Sequence, residues 1–130
     1  MYETLLKPIR YTADNILEVG IGDFKNKNGG SLSLWRKYFT KATIHAVDIL
    51  STERVLDELV KDKTVKLYTD TNAYDAYFIS CIKNIKFDFF LLDDGPHTLS
   101  SQEKFIELYA PLLNENGILI IEDVQHIDWL

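Results

Sequence analysis

The chain is sparing with cysteine, proline, glycine and basic charge: 130 residues hold one Cys, three Pro and six Gly, and 14 Lys+Arg stand against 20 Asp+Glu. A lone Cys81 excludes an intramolecular disulfide framework, and with it the small stapled secreted scaffolds. Proline and glycine fall singly apart from Gly29-Gly30, so nothing marks a linker, and there is no repeat or low-complexity tract. The longest apolar runs, Phe89-Phe90-Leu91-Leu92 and Ile118-Leu119-Ile120-Ile121, are far below the roughly 20 residues of a membrane-spanning helix. The N-terminal residues lack the apolar stretch of a signal peptide. A net charge of −6 without any Lys/Arg cluster argues against a phosphate-tracking surface and against an anionic-membrane binder. The expectation is a cytoplasmic protein without nucleic-acid or membrane partners. Residues 1–130 read as one compact domain, long enough to bury a core without staples.

What is present is an alternation. Asn15–Val19, Thr43–Ile49, Thr64–Tyr68, Phe87–Leu92 and Gly117–Ile121 are short and rich in β-branched or aromatic residues, and read as five strands. Helical spacing lies between them. From Ala73 to Ile85, Tyr74, Tyr77, Phe78, Cys81, Ile82 and Ile85 repeat as one stripe, which places Cys81 in the core. Ser100 followed by Glu103 predicts a capping box ahead of Phe105, Leu108, Tyr109 and Leu112. Strand and helix in alternation call for an α/β fold, a parallel sheet covered on both faces. His45, inside the second strand, reads as structural.

Parallel sheets of this kind bind ligands at the carboxyl ends of their strands. There the sequence has Glu18-Val19-Gly20-Ile21-Gly22, Asp48, Asp70, Asp93-Asp94 and Glu122-Asp123, so every strand delivers acid to one rim. About one or two of these acids are expected to be caps or solvated loop residues, as Asn72 and Ser100 are. Gly20-x-Gly22 lets a ligand approach the backbone, but Lys25 stands where a dinucleotide fingerprint wants its third glycine. A carboxylate at the end of the second strand suits a ribose diol, which makes adenosine without a pyrophosphate the natural candidate. If the fourth and fifth strands are neighbours, about 4.8 Å apart, Asp93-Asp94 and Glu122-Asp123 crowd several carboxylates together. A hard divalent cation such as magnesium would relieve that repulsion.

These residues carry a resemblance. Ile16 to Gly22, Gly29-Gly30-Ser31-Leu32-Ser33-Leu34-Trp35 and Ile44 to Asp48 resemble the first motifs of class I S-adenosylmethionine-dependent methyltransferases. The Gly-Gly-Ser-Leu-x-x-Trp opening, Asp93-Asp94-Gly95-Pro96-His97 and Ile121-Glu122-Asp123 resemble, more narrowly, the metal-dependent macrolide-sugar O-methyltransferases of the mycinamicin type. The resemblance implies a Rossmann-like doubly wound sheet of about five parallel strands in the order 3-2-1-4-5. It implies S-adenosylmethionine held by Glu18, Gly20, Gly22, Ser31, Asp48 and Asp70, with Asp93 near it. It further implies magnesium, or another hard divalent cation, on Asp94, Glu122 and Asp123, with His97 as general base beside Asp94. Adjacent strand residues point to opposite faces, hence the choice of Asp94 over Asp93 for the metal. The implied reaction methylates a sugar hydroxyl of a glycan or glycosylated metabolite.

The sequence departs from that family in lacking the usual C-terminal antiparallel hairpin, and Pro96 stands where serine is usual. Gly117–Ile121 is therefore an apolar edge, and is expected to be covered by the C-terminal tail, a second copy or a partner domain. The alternative function is a non-catalytic S-adenosylmethionine-binding module, or a domain of a larger glycan-modifying protein; Asp94, His97, Glu122 and Asp123 together favour the enzyme. A phosphoacceptor receiver domain fails on placement, since it wants its acid pair where Gly20-x-Gly22 stands and a lysine where Glu122-Asp123 stands.

Overall fold

The computed structural model describes residues 2–22, 27–92 and 98–122. The elements, in order, are α1 (Tyr2–Leu6), β1 (Asn15–Val19), α2 (Gly30–Tyr38), β2 (Thr43–Val47), α3 (Asp57–Lys61), β3 (Val65–Tyr68), α4 (Ala76–Ile82), β4 (Phe87–Leu92), α5 (Leu99–Tyr109) and β5 (Leu113–Ile121). The strands form one sheet in the order β3-β2-β1-β4-β5, with every pairing parallel, as expected. The order reverses direction at β1, so β1 and β4 flank the switch point where such sheets open a crevice.

Alternation along the strands sorts apolar side chains into two cores. Ile16, Ile44, Ala46, Phe89 and Leu91 face Leu32 and Trp35 of α2, Phe39 just after it and Leu59 of α3, with Leu6 of α1 joining them. Leu17, Val19, Val47 and Phe90 face Phe78 and Ile82 of α4 and Phe105 and Tyr109 of α5. A register shift between Phe87 and Phe89 lets Phe87 leave the parity of its strand, so that both rings are buried, in different cores. Fully burying one such ring contributes about 1.5–3 kcal/mol.

Several expectations are corrected by the packing. The stripe from Ala73 to Ile85 is helical only over Ala76–Ile82, with Asp75 accepting from the Tyr77 amide as N-cap. Cys81 is exposed rather than in the core, and Tyr77 is exposed too. In so short a helix the line through Phe78 and Ile82 meets the sheet, and Cys81 is turned about 100° away from Ile82. The capping box of α5 is Thr98 with Ser101, not Ser100 with Glu103: Thr98 Oγ1 accepts from the Ser101 amide at 3.2 Å, and Ser101 Oγ accepts from the Thr98 amide at 3.1 Å. A hydroxyl does there what glutamate does in the commoner box. The last strand begins at Leu113, four residues before Gly117, and α1 is an element too short for periodicity to signal. Among the described residues β5 is paired on one side only, and its residues 117–121 are half-buried. The tail named as one cover for that edge, 123–130, lies outside the described residues. No helix among the described residues is long and apolar enough to cross a membrane.

His45 is structural, as its position within the second strand suggests. It is 1% exposed and lies between Tyr68 Oη, 3.1 Å from Nδ1, and Asn15 Oδ1, 3.0 Å from Nε2. Asn15 Oδ1 can only accept, so Nε2 carries the proton and Nδ1 accepts from the tyrosine. Burial, with Lys66 adding to it, pushes the imidazole down to about 4 from its ordinary 6.5. The unfolded chain therefore binds a proton that the fold refuses between these values. The contribution of His45 to stability is complete above pH 6.5 and is lost as pH falls toward 4. Urea unfolding at pH 7 and pH 4.5 is expected to show a fall on the order of 3 kcal/mol from this group, and His45→Gln is expected to flatten the pH dependence.

Candidate functional site

The site is built from the chain segments leaving β1, β2, β3 and β5. β1 delivers Glu18 inside the strand, and its side chain is turned into the protein, 2% exposed. Its Oε1 accepts from Ser31 Oγ at 2.6 Å and its Oε2 from Trp35 Nε1 at 3.1 Å. Glu18 thus fixes the start of α2 against β1, and the predicted site residue Ser31 is the partner that it holds.

Beyond β1 the chain turns through Gly20 and Gly22, with φ of 97° and 150°. At Gly22 a Cβ would lie 2.5 Å from Asn28 Oδ1, so this turn can pass only as glycine. Asp48, directly after β2, is half-buried and reaches across to the same turn. Its Oδ2 accepts from the amides of Ile21 at 2.6 Å and Gly22 at 3.3 Å, and its Oδ1 from Leu50 at 3.2 Å. One carboxylate therefore joins the ends of β1 and β2, and keeps lone pairs for further donors. Asp70, after β3, has φ of 50° and is exposed, and its amide donates to the Leu50 carbonyl at 2.9 Å. The segments following β2 and β3 are thereby tied to each other beside the glycine turn.

On the other side of the switch point, Leu92 of β4 is the register partner of Ile121 of β5. Glu122 follows Ile121, is half-buried and accepts from the hydroxyl of Tyr2 through Oε1. The other residues predicted here, Asp93, Asp94, His97 and Asp123, lie outside the described residues. Among the described residues no group of three or more His, Cys, Asp and Glu side chains is poised to hold a metal.

No family model matches the sequence. It is 31% identical, over 95% of its length, to the 8-demethyl-8-(2-methoxy-alpha-L-rhamnosyl)-tetracenomycin-C 3'-O-methyltransferase of Streptomyces olivaceus. It is 29% identical, over 98% of its length, to the mycinamicin VI 2''-O-methyltransferase of Micromonospora griseorubida. The fold superposes with a TM-score of 0.79 and 25% identity, over 94% of this chain, on the MycE methyltransferase of the mycinamycin biosynthetic pathway, solved with magnesium, S-adenosylhomocysteine and mycinamycin VI. The homologues of this chain are sugar O-methyltransferases. The chain spans about a third of the length of these relatives: 31% of each of the two enzymes and 31% of the solved chain. Its sheet order is that of its methyltransferase neighbours.

The residues described fit such a cofactor and metal as far as they reach. The glycine turn is buried, with Gly22 packed against Asn28, and the half-buried Asp48 offers a carboxylate beside it. Glu122 supplies the hard oxygen that magnesium prefers.

Sequence reasoning passed over Tyr2, Trp35 and Gln102. The bond from Trp35 to Glu18 had a signal, the Gly-Gly-Ser-Leu-x-x-Trp spacing that puts Ser31 and Trp35 on one helical face. Gln102 had none. It lies in the first turn of α5, on the side shared with Phe105 and Tyr109, is 0% exposed, and neither atom of its amide meets a hydrogen-bond partner among the described residues. Two unpaired amide atoms in the interior are costly. Gln102→Leu is expected to raise stability by about 1–3 kcal/mol, read as a higher urea midpoint; a fall would mean that the amide is satisfied in solution.

Proposed function

We propose that this chain is the S-adenosylmethionine-binding and catalytic portion of an O-methyltransferase acting on a sugar hydroxyl of a glycosylated small molecule. The observation that carries this reading is the carboxylate of Asp48 bonded to the Ile21 and Gly22 amides, 2.6 and 3.3 Å away, at the switch point of the sheet. It sets a ribose acceptor beside the glycine turn, in a chain whose homologues transfer methyl groups to sugars.

In this reading Asp48 accepts from the ribose hydroxyls, while Gly20 and Gly22 let the amino-acid end of the cofactor lie against the backbone. Glu18 and Ser31 hold the start of α2 so that this turn keeps its shape. Asp70 and Asp93 flank the nucleoside from the loops after β3 and β4. Asp94, Glu122 and Asp123 would hold magnesium. When bound, the cation supplies positive charge that lowers the pKa of a sugar hydroxyl near it. His97 accepts the proton which that hydroxyl loses as its oxygen takes the methyl group. One O–C bond forms, the S–C bond of the sulfonium breaks, and S-adenosylhomocysteine leaves neutral at sulfur. The charge lost from the sulfonium is matched by the proton gained on His97.

Calorimetry with S-adenosylhomocysteine, with and without magnesium, tests the cofactor reading. Binding is expected under both conditions and tighter with the metal; no binding in either would sink the assignment, and indifference to magnesium would remove the metal from it. His97→Ala is expected to keep cofactor affinity and to lose about 100-fold or more in methyl transfer to a glycoside acceptor. Binding by the wild-type chain without turnover on any glycoside would leave a cofactor-binding module instead.

A further inference from the structure

We propose that Asn28 is the positioning residue for the glycine turn after β1, holding Gly22 where the amino-acid end of the cofactor meets the backbone; the proposal rests on the reading of that turn as part of the cofactor site. Asn28 is 3% exposed and is fastened to the segment that follows β2. Its amide donates to the Arg54 carbonyl at 2.7 Å and its carbonyl accepts from the Leu56 amide at 2.9 Å, which makes a parallel bridge to the fully buried Val55. Side-chain Nδ2 donates to the same Arg54 carbonyl at 3.0 Å, which fixes the plane of the side-chain amide. Asn28 has a further interaction besides these. Its Oδ1 lies against Gly22, in the space that a Cβ on that residue would need.

Gly22 has one other tether, the bond from its amide to Asp48 Oδ2. At 3.3 Å that bond is long and weak, whereas Ile21 holds the same oxygen at 2.6 Å. The place of Gly22 therefore depends on the side chain packed against it. Glycine has more backbone freedom to lose than any other residue, so an unsupported Gly22 would be ordered only on binding, at the expense of affinity. Truncating Asn28 to alanine leaves the backbone bridge to Val55 and the bonds of Asp48 to Ile21 and Leu50, and removes the amide on which Gly22 rests. The consequence divides along the cofactor: the amino-acid end, placed on Gly22, loses its support, and the ribose, placed on Asp48, keeps it.

The test is calorimetry on the 130-residue wild-type chain and Asn28→Ala with two ligands. One is S-adenosylhomocysteine; the other is methylthioadenosine, which keeps the nucleoside and the sulfur and lacks the amino-acid end. Asn28→Ala is expected to bind S-adenosylhomocysteine about tenfold more weakly, the worth of about one hydrogen bond, and methylthioadenosine as wild type does. A general loosening of the fold would weaken both ligands alike, so the difference between them separates positioning from stability. Asn28→Ser, whose hydroxyl can still donate to Arg54 and is too short to fill the space beside Gly22, carries the same expectation should the alanine chain fail to fold. If the variant binds S-adenosylhomocysteine as tightly as wild type, or more tightly, or loses methylthioadenosine by as much or more, Asn28 does not position the turn and the cofactor reading stands. If the wild-type chain binds neither ligand, or binds S-adenosylhomocysteine no more tightly than methylthioadenosine, the reading of the glycine turn falls and the proposal falls with it.

Discussion

The carboxylate of Glu18 is the interaction on which the rest of the site depends. At 2% exposure it would be very costly if left unmatched, and its two oxygens instead accept from Ser31 and Trp35. Those two donors are four residues apart on α2, so a single buried charge fixes both the height and the rotation of that helix on β1. Trp35, thus set, becomes the wall against which Tyr2, Phe39 and Phe89 pack. Breaking the pair would leave a charge stranded in the core and loosen the indole that supports α1.

Around this pair the sheet divides its labour. The two faces are given to packing, and strand alternation sends successive apolar residues to opposite cores. Apart from Glu18, His45 and Gln102, which are buried, polar side chains gather at the rim, where the chain leaves the ladder and backbone amides lack strand partners. Asp48 meets that condition by taking the amides of Ile21, Gly22 and Leu50, which is a structural service as well as a binding surface. Glu122 is treated in a similar way by the hydroxyl of Tyr2. Acid at a rim need not be left to solvent, because elements close in space and distant in sequence supply its donors.

Much of the architecture was legible because it rests on local rules. Five runs of β-branched and aromatic residues, separated by helical spacing, announce a parallel sheet, and all five strands are present. Glycines beside an acid at the end of the first strand announce a backbone turn, and Gly20 and Gly22 take positive φ. The misreadings share a cause. The stripe that included Cys81 has the right spacing, but a seven-residue helix meets the sheet along Phe78 and Ile82 only. Ser100 and Glu103 match a capping pattern, yet Thr98 and Ser101 satisfy the same geometry two residues earlier. Where two local solutions are close in energy, packing chooses between them.

The sequence by itself determined the class of fold, the rim on which acids gather and the residue types able to bind a nucleoside and a hard cation. These follow from periodicity and from the chemistry of single side chains. Only the tertiary structure decided that Glu18 faces inward to Ser31 and Trp35, that Asp48 clasps the glycine turn, that Gln102 is buried with its amide unpaired among the described residues, and that Tyr2 reaches Glu122. Each of these depends on which distant segments become neighbours when the sheet assembles, and a side chain's partners across 13 to 120 residues of chain are set by that assembly rather than by local spacing.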